Sequence, residues 1–170
     1  LNNLGQLLLK GAGEKKSYER DAAMEEARGY LEQAIQATPV YVKPHVNLGD
    51  YWRIRGEIEK SGPHARKALE YYQKANKLNE AGPIPFVSLT IGRLLAGLGQ
   101  EEQAVSEFER ARSARGSRIS ASLALIWLHA THKNPAVRNP SRAVQLAKGL
   151  IEGGGGASWK VLHAAAAAYA

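Results

Sequence analysis

Residues 45–75 contain the two spacings that decide the fold. Their first half reads His45-x-x-Leu48-Gly49-x-x-Trp52, and their second half reads Ala68-x-x-x-Tyr72-x-x-Ala75. At these spacings the named residues lie on one stripe of a helix, so each half predicts a helix with a packing face. The glycine lets a second helix approach closely, although it costs roughly 1 kcal/mol of helix propensity. We therefore expect two helices that pack closely against each other.

Both patterns recur along the chain. The small–bulky–small pattern occurs at Ala27-Leu31-Ala34, Ala68-Tyr72-Ala75 and Ala104-Phe108-Ala111, with a looser copy at Ala143-Ala147-Leu150. The glycine pattern recurs at Ser88-x-x-Ile91-Gly92-x-x-Leu95 and in part at Leu4-Gly5-x-x-Leu8. Recurrence at about 36 to 41 residues is typical of a stacked repeat protein.

These patterns resemble the tetratricopeptide repeat (TPR), a pair of antiparallel helices repeated in tandem. The resemblance covers essentially the whole chain, with copies at about 1–41, 42–84, 85–118 and 119–157 and a partial copy at 158–170. It implies an all-α fold, a single right-handed superhelix of about four helix pairs plus one extra helix. The second copy has about seven extra residues around 58–64, which is close to two helical turns, so we expect longer helices there.

The two ends of the chain are unusual. The sequence begins at Leu1 rather than at methionine and stops within a repeat, so we expect a piece of a longer protein. Two low-complexity runs lie near the end, Gly153–Gly156 and Ala164–Ala168. They are either a flexible linker and a strong helix former or an unreliable reading of the sequence. We therefore assign no function to residues 153–170.

The composition is basic. The 23 Lys and Arg exceed the 16 Asp and Glu, which gives a formal net charge of +7, and cysteine is absent, which excludes disulfides and thiolate metal sites. No apolar stretch is long enough to span a membrane, so we expect a soluble protein, with peripheral membrane association still open.

The densest basic cluster is expected at the end of one helix and in the following loop, and it consists of Arg110, Arg112, Arg115 and Arg118. Cations at a helix C-terminus are favoured by its dipole, and an acidic partner is the alternative. Nucleic acid is disfavoured as a partner, because no aromatic residues for base stacking accompany the cluster.

No arrangement of residues indicates an enzyme, a metal site or a cofactor. His129-x-x-His132 could place two imidazoles on one helical face, but no third ligand is nearby in the sequence. Two ordinary histidines near a helix end are the simpler interpretation. His45 occupies a packing position, and we expect it to be structural.

The resemblance also indicates where a partner would bind. In the TPR family the first helix of each repeat lines a concave groove that receives a peptide or a partner helix. The corresponding positions here are Lys43, Val46, Asp50, Arg53, Phe86, Leu89, Arg93, Leu123 and Trp127. Aromatic and arginine anchors are typical of interface hot spots, and Trp127 is the strongest candidate. The alternative is that the four large apolar residues of this set are buried between repeats.

The sequence therefore predicts a protein–protein interaction module, or a scaffold or assembly subunit, that binds a peptide or another subunit. The alternatives are a regulatory or substrate-presenting arm of a larger enzyme whose catalytic domain is not in this chain, and a charged-surface binder of lipid or nucleic acid. Some TPR domains clamp a C-terminal carboxylate with lysine, asparagine and arginine. Asn47 matches that asparagine, but the flanking positions lack cations, so we do not expect a carboxylate clamp.

Overall fold

The computed structural model describes residues 1–13, 17–155, 163–164 and 166–167, and in these residues the fold is all-α, with eight α-helices and no strand. The helices are α1 (Asn2–Ala12), α2 (Ser17–Ala37), α3 (Val42–Glu59), α4 (Gly62–Leu78), α5 (Pro85–Gly97), α6 (Glu101–Arg112), α7 (Arg115–Thr131) and α8 (Pro140–Leu150). A short π-helical segment, Ile151–Gly155, follows α8. The predicted all-α, repeat-like fold is therefore confirmed.

The chain divides into two compact units. Unit 1 comprises Leu1–Gly82 and contains α1 to α4, and unit 2 comprises Pro83–Ala170 and contains α5 to α8. Each unit consists of two helix pairs, and the helices of a pair pack extensively against each other. Of the extra helix predicted at residues 158–170, positions 163–164 and 166–167 are helical. The rest of that segment lies outside the described residues.

The glycine of the first helix and the bulky residue of the second helix meet in three of the four pairs. A Cβ atom built on Gly5 would stand 2.7 Å from Leu31, one on Gly49 would stand 2.7 Å from Tyr72, and one on Gly92 would stand 2.6 Å from Phe108. Such distances are too short for real carbon contacts. The bulky residues therefore fill the space that the missing side chains leave, as the two sequence patterns predict.

The two helices of a pair run antiparallel. In the second pair Gly49 faces Tyr72, whereas Gly56, further along α3, faces Ala65, which lies earlier on α4. The extra residues of this pair lengthen both helices, because only Lys60 and Ser61 separate α3 from α4. The prediction of longer helices is thus confirmed.

The fourth pair reverses the sizes of the two key residues. Aligning its pattern with the other pairs places Ile126 of α7 at the glycine position and Ala147 of α8 at the bulky position. Both side chains are fully buried. A large residue on the first helix and a small one on the second can fill the same space, which explains why this copy of the pattern reads as the loosest in the sequence.

The basic cluster is placed differently from the prediction. Arg110 and Arg112 do end α6, but Arg115 and Arg118 lie in the first turn of α7 rather than in a loop. Only two residues, Ser113 and Ala114, separate the two helices. The predicted loop is this short because α7 begins four residues before the assumed repeat boundary at 119.

Candidate functional site

The predicted binding positions of unit 1 lie on α3, and we call Lys43, Val46, Asp50 and Arg53 the α3 surface. Lys43 is exposed, whereas Val46 is only 9% exposed and offers little area to a partner. The Asp50 carboxylate accepts a hydrogen bond from the Tyr72 hydroxyl at 2.7 Å and lies 3.4 Å from Arg53. Much of the charge on this surface is therefore already paired within the chain.

A cavity of about 200 Å³ lies beside the α3 surface. Its walls come from α1 and α3, and they consist of Gln6, Leu9, Lys10, Asn47, Asp50, Arg53 and Ile54. The buried amide of Asn47 donates to the side-chain oxygen of Asn2 at 2.8 Å. This hydrogen bond gives Asn47 a structural role between α1 and α3.

The predicted positions of unit 2 lie on α5 and α7, which contact each other. We call Phe86, Leu89, Arg93, Leu123 and Trp127 the aromatic–arginine surface. Phe86 is 56% exposed and Trp127 is 39% exposed, while Arg93 is exposed and the two leucines are half-buried. The two aromatic rings are therefore not buried between helices, which was the alternative interpretation for them.

Trp127 and Phe86 differ in their surroundings. The Trp127 ring contacts the ring of His163, with centroids 5.2 Å apart in an edge-on arrangement. Phe86 lies in the first turn of α5 and is the more exposed of the two. The sequence analysis singled out Trp127, whereas the structure makes Phe86 the more accessible aromatic side chain. Phe86 stands at the start of α5, where no preceding helical turn covers it. This position in the sequence could have indicated its exposure.

Unit 1 also has a polar cavity of about 410 Å³ that the sequence analysis missed. Side chains of α2, α3 and α4 form it, and they are Arg28, Glu32, His45, Trp52, Lys67, Glu70, Tyr71 and Lys74. The ammonium of Lys67 lies 4.2 Å from the centroid of the Trp52 ring, a cation–π contact. Burial raises the pKa of Tyr71, and the charges of Glu32 and Glu70 raise it further.

His45 forms part of the inner wall of this cavity. It is buried, and its Nε2 lies 2.9 Å from the carbonyl oxygen of Pro39. A carbonyl only accepts hydrogen bonds, so Nε2 carries the proton and donates it. This bond ties the first turn of α3 to the loop that follows α2, which is the structural role that its packing position predicts.

Unit 2 has a smaller cavity of about 200 Å³ between α6, α7 and α8. Three of the residues that line it are arginines, Arg112, Arg118 and Arg142, and we call it the arginine pocket. The Glu109 carboxylate accepts hydrogen bonds from Arg112 Nε at 2.8 Å and from Arg142 Nη2 at 3.0 Å. Burial alone would raise the pKa of Glu109, but the hydrogen bonds from the two arginines outweigh burial and lower it.

The two histidines that could have shared a metal engage separate partners. His129 is buried, with its Nδ1 2.8 Å from the carbonyl oxygen of Val137, whereas His132 Nε2 lies 3.3 Å from Glu101. Within the described part of the chain, no three His, Cys, Asp or Glu side chains are grouped so that they could hold a metal ion. The polar interactions of both rings are therefore accounted for by the protein itself.

The chain matches no protein-family model, and no curated protein is found to be similar to it. Among the described residues, none of the helices combines the length and the apolar character needed to cross a membrane.

Proposed function

We propose that the chain is a TPR-like protein–protein interaction module, or a scaffold subunit, that binds a peptide or partner subunit through the first helices of its helix pairs. The observation that carries this proposal is the exposure of Phe86 and Trp127 on two neighbouring helices. The glycine-to-bulky contacts of three pairs support the TPR-like part of it, because the family resemblance rests on the same two patterns.

The aromatic–arginine surface has the composition of a binding hot spot. Aromatic rings supply a large apolar area, and burying a Phe side chain is worth about 1.5–3 kcal/mol. Arg93, seven residues after Phe86, lies on the same face of α5 and forms no ion pair within the residues that the structure describes. A partner that covers Phe86 and continues about two turns along α5 would reach the Arg93 guanidinium, and an acidic or carbonyl-rich segment fits that chemistry.

The α3 surface contributes less to the proposed binding. Arg53 already holds Asp50 and Glu57, at 3.4 and 2.8 Å, so a partner would have to compete with these pairs. Exposed pairs of this kind are worth about 0–1 kcal/mol, and competition is therefore inexpensive. We expect this surface to affect the rate of association through charge more than the final affinity.

The proposal is tested by affinity capture from a lysate of the cells that make the protein, followed by quantitative mass spectrometry. A Phe86→Ala/Trp127→Ala variant is compared with the wild type and with a Tyr18→Ala/Val40→Ala control. The control removes two apolar side chains from unit 1 that are more exposed, at 69% and 70%. Circular dichroism verifies that all three proteins have the same helix content.

Partners that disappear with the Phe86→Ala/Trp127→Ala variant and persist with the control support the proposed interface. If both variants retain the same partners as the wild type, the aromatic–arginine surface is not where they bind. Captured partners are then verified by binding of the purified pair at several salt concentrations. A contact dominated by the aromatic rings will depend only weakly on salt.

A further inference from the structure

The arginine pocket has more positive charge than the protein neutralises. Three arginines line it, and among the described residues the Glu109 carboxylate pairs with two of them, Arg112 and Arg142. Two positive charges therefore remain in excess around a cavity of about 200 Å³. Guanidinium groups hold carboxylates and phosphates with paired hydrogen bonds, so this excess favours an anion with two negative charges.

The pocket also has hydrogen-bond donors to spare. Each guanidinium has five N–H groups, and Glu109 takes only Nε of Arg112 and one terminal nitrogen of Arg142. Arg118 is exposed and forms no ion pair or side-chain hydrogen bond within the part of the chain that the structure describes. A tetrahedral oxyanion, which presents acceptors in several directions, can use these free donors, whereas a planar carboxylate uses fewer of them.

The helix that carries Arg118 adds to the positive potential. Arg118 lies in the first turn of α7, which contains no acidic residue and has no side-chain cap. The N-terminus of a helix is the positive end of its dipole, where anions are stabilised and cations are not. A cation held at this place gains stability when an anion binds beside it.

The size of the cavity suits a phosphoryl group. Water occupies about 30 Å³ in the liquid, so a cavity of about 200 Å³ admits a phosphate group together with the first atoms to which it is attached. The buried Ser122 of α7 and Gln145 of α8 are among the residues that line it. Both are polar residues, which makes this wall compatible with an oxyanion.

We propose that the arginine pocket binds a phosphate dianion, either as free inorganic phosphate or as a phosphorylated side chain of another protein. Arg118 would contribute its unpaired guanidinium, and Arg112 and Arg142 would contribute the donors that Glu109 leaves free. This inference does not depend on the aromatic–arginine surface, so it can hold or fail separately from the proposed function.

The experiment is a titration of the full chain at low ionic strength, followed by calorimetry and by NMR of the backbone amides. The two probes are inorganic phosphate and a short peptide that contains one phosphoserine and no other charged side chain, with its unphosphorylated form as the blank. The central variant is Arg118→Ala. Its matched control is Arg115→Ala, which removes the same charge from the same helical turn but from a residue that does not line the pocket.

We expect saturable binding of at least one probe, with Arg118→Ala weakening it about tenfold or more and Arg115→Ala by less than about threefold. A charge-assisted hydrogen bond contributes about 1.5–3 kcal/mol, and 1.4 kcal/mol corresponds to a factor of ten. Glu109→Gln should strengthen binding, because it removes the competing carboxylate from Arg112 and Arg142. If Glu109 only stabilised the fold, the Glu109→Gln variant would bind the probes no more tightly than the wild type.

Each outcome decides the proposal. Tighter binding of the phosphopeptide identifies a phosphorylated protein as the source, and tighter binding of inorganic phosphate identifies the free ion. Equal losses with Arg115→Ala and Arg118→Ala would reduce the effect to the general positive charge of the chain and overturn the site. The absence of saturable binding by both probes to the wild type and to Glu109→Gln would overturn it as well.

Discussion

The ring of Tyr72 occupies the space that a Cβ atom on Gly49 would need, with the two only 2.7 Å apart. Leu31 stands in the same relationship to Gly5, and Phe108 to Gly92. Each of these bulky residues is buried at the centre of its helix pair. In these three pairs the closeness of the two helices is thus set by one side chain that packs against bare backbone.

Replacing Gly49 by alanine should destabilise the protein. The added methyl group would meet the Tyr72 ring, and forcing extra volume into a packed core costs about 1–3 kcal/mol. The control is Gly29→Ala, because Gly29 lies inside α2 with nothing within 4 Å of its Cβ position. That change should stabilise the helix by up to about 1 kcal/mol. Urea unfolding compares the two, and equal effects would show that the close approach at Gly49 is not required.

Tyr72 should make the protein less stable at alkaline pH. Burial, and next the charge of Asp50, raise the pKa of Tyr72 well above its usual 10.0. A group whose pKa is higher in the folded state contributes its full stability below the unfolded pKa and loses it as the pH rises further. We therefore expect the free energy of unfolding to fall as the pH rises above about 10, and to fall less in Tyr72→Phe.

The control for this prediction is Tyr18→Phe, because Tyr18 is largely exposed. It should leave the alkaline slope unchanged. Some slope will remain in Tyr72→Phe, because burial and a hydrogen bond to Glu25 also raise the pKa of Tyr51. An unaltered slope in Tyr72→Phe would contradict the prediction, because it would mean that the Tyr72 hydroxyl ionises with the same pKa in the folded and unfolded states.

Removing one partner of the hydrogen bond between Asn47 and Asn2 should cost stability, because the other partner is left buried without a hydrogen bond. Asn47→Ala leaves the buried oxygen of Asn2 without its donor, and such an orphaned group costs about 1–3 kcal/mol. The Asn2→Ala/Asn47→Ala variant should lose less stability than the two single losses added together. A double-mutant cycle of unfolding free energies measures the difference, and strict additivity would show that the bond contributes nothing.

The reversed sizes in the fourth pair predict a compensating effect. Ala147→Phe should destabilise the protein by about 1–3 kcal/mol, because the helix opposite carries Ile126 rather than glycine. Adding Ile126→Gly to that variant should recover part of the loss and recreate the arrangement of the other pairs. Thermal unfolding of the wild type and the two variants provides the test, and a double variant no more stable than Ala147→Phe would contradict it.

The sequence predicts the interior of each pair better than its surfaces. Helical spacing states which residues share a face, so the close contacts of Gly49 and Gly92 follow directly from it. Outside these two repeat patterns, spacing within one helix does not say which side chains of different helices meet. Arg142 lies 24 residues after Arg118, and no local pattern links the two, which is why the arginine pocket was not predicted.

Local context also explains two smaller differences. Phe86 and Arg118 both lie in the first turn of a helix, and repeat patterns define helix starts only to within a few residues.

Trp52 was assigned to packing and is indeed buried, yet its ring also forms a cation–π contact with Lys67 in the larger cavity. A residue can serve the core with one face and a surface cavity with the other.

The exchange of sizes between Ile126 and Ala147 limits how the helices of this chain can be recombined. The second helices α4 and α6 each bring an aromatic ring to a glycine, so they have matching sizes at this contact. Helix α8 brings an alanine and would leave a hole against either glycine, while the ring of α4 or α6 would collide with Ile126. Helices α7 and α8 should therefore be grafted or deleted together. A folding intermediate that paired either of them with another helix would be poorly packed and gain little stability.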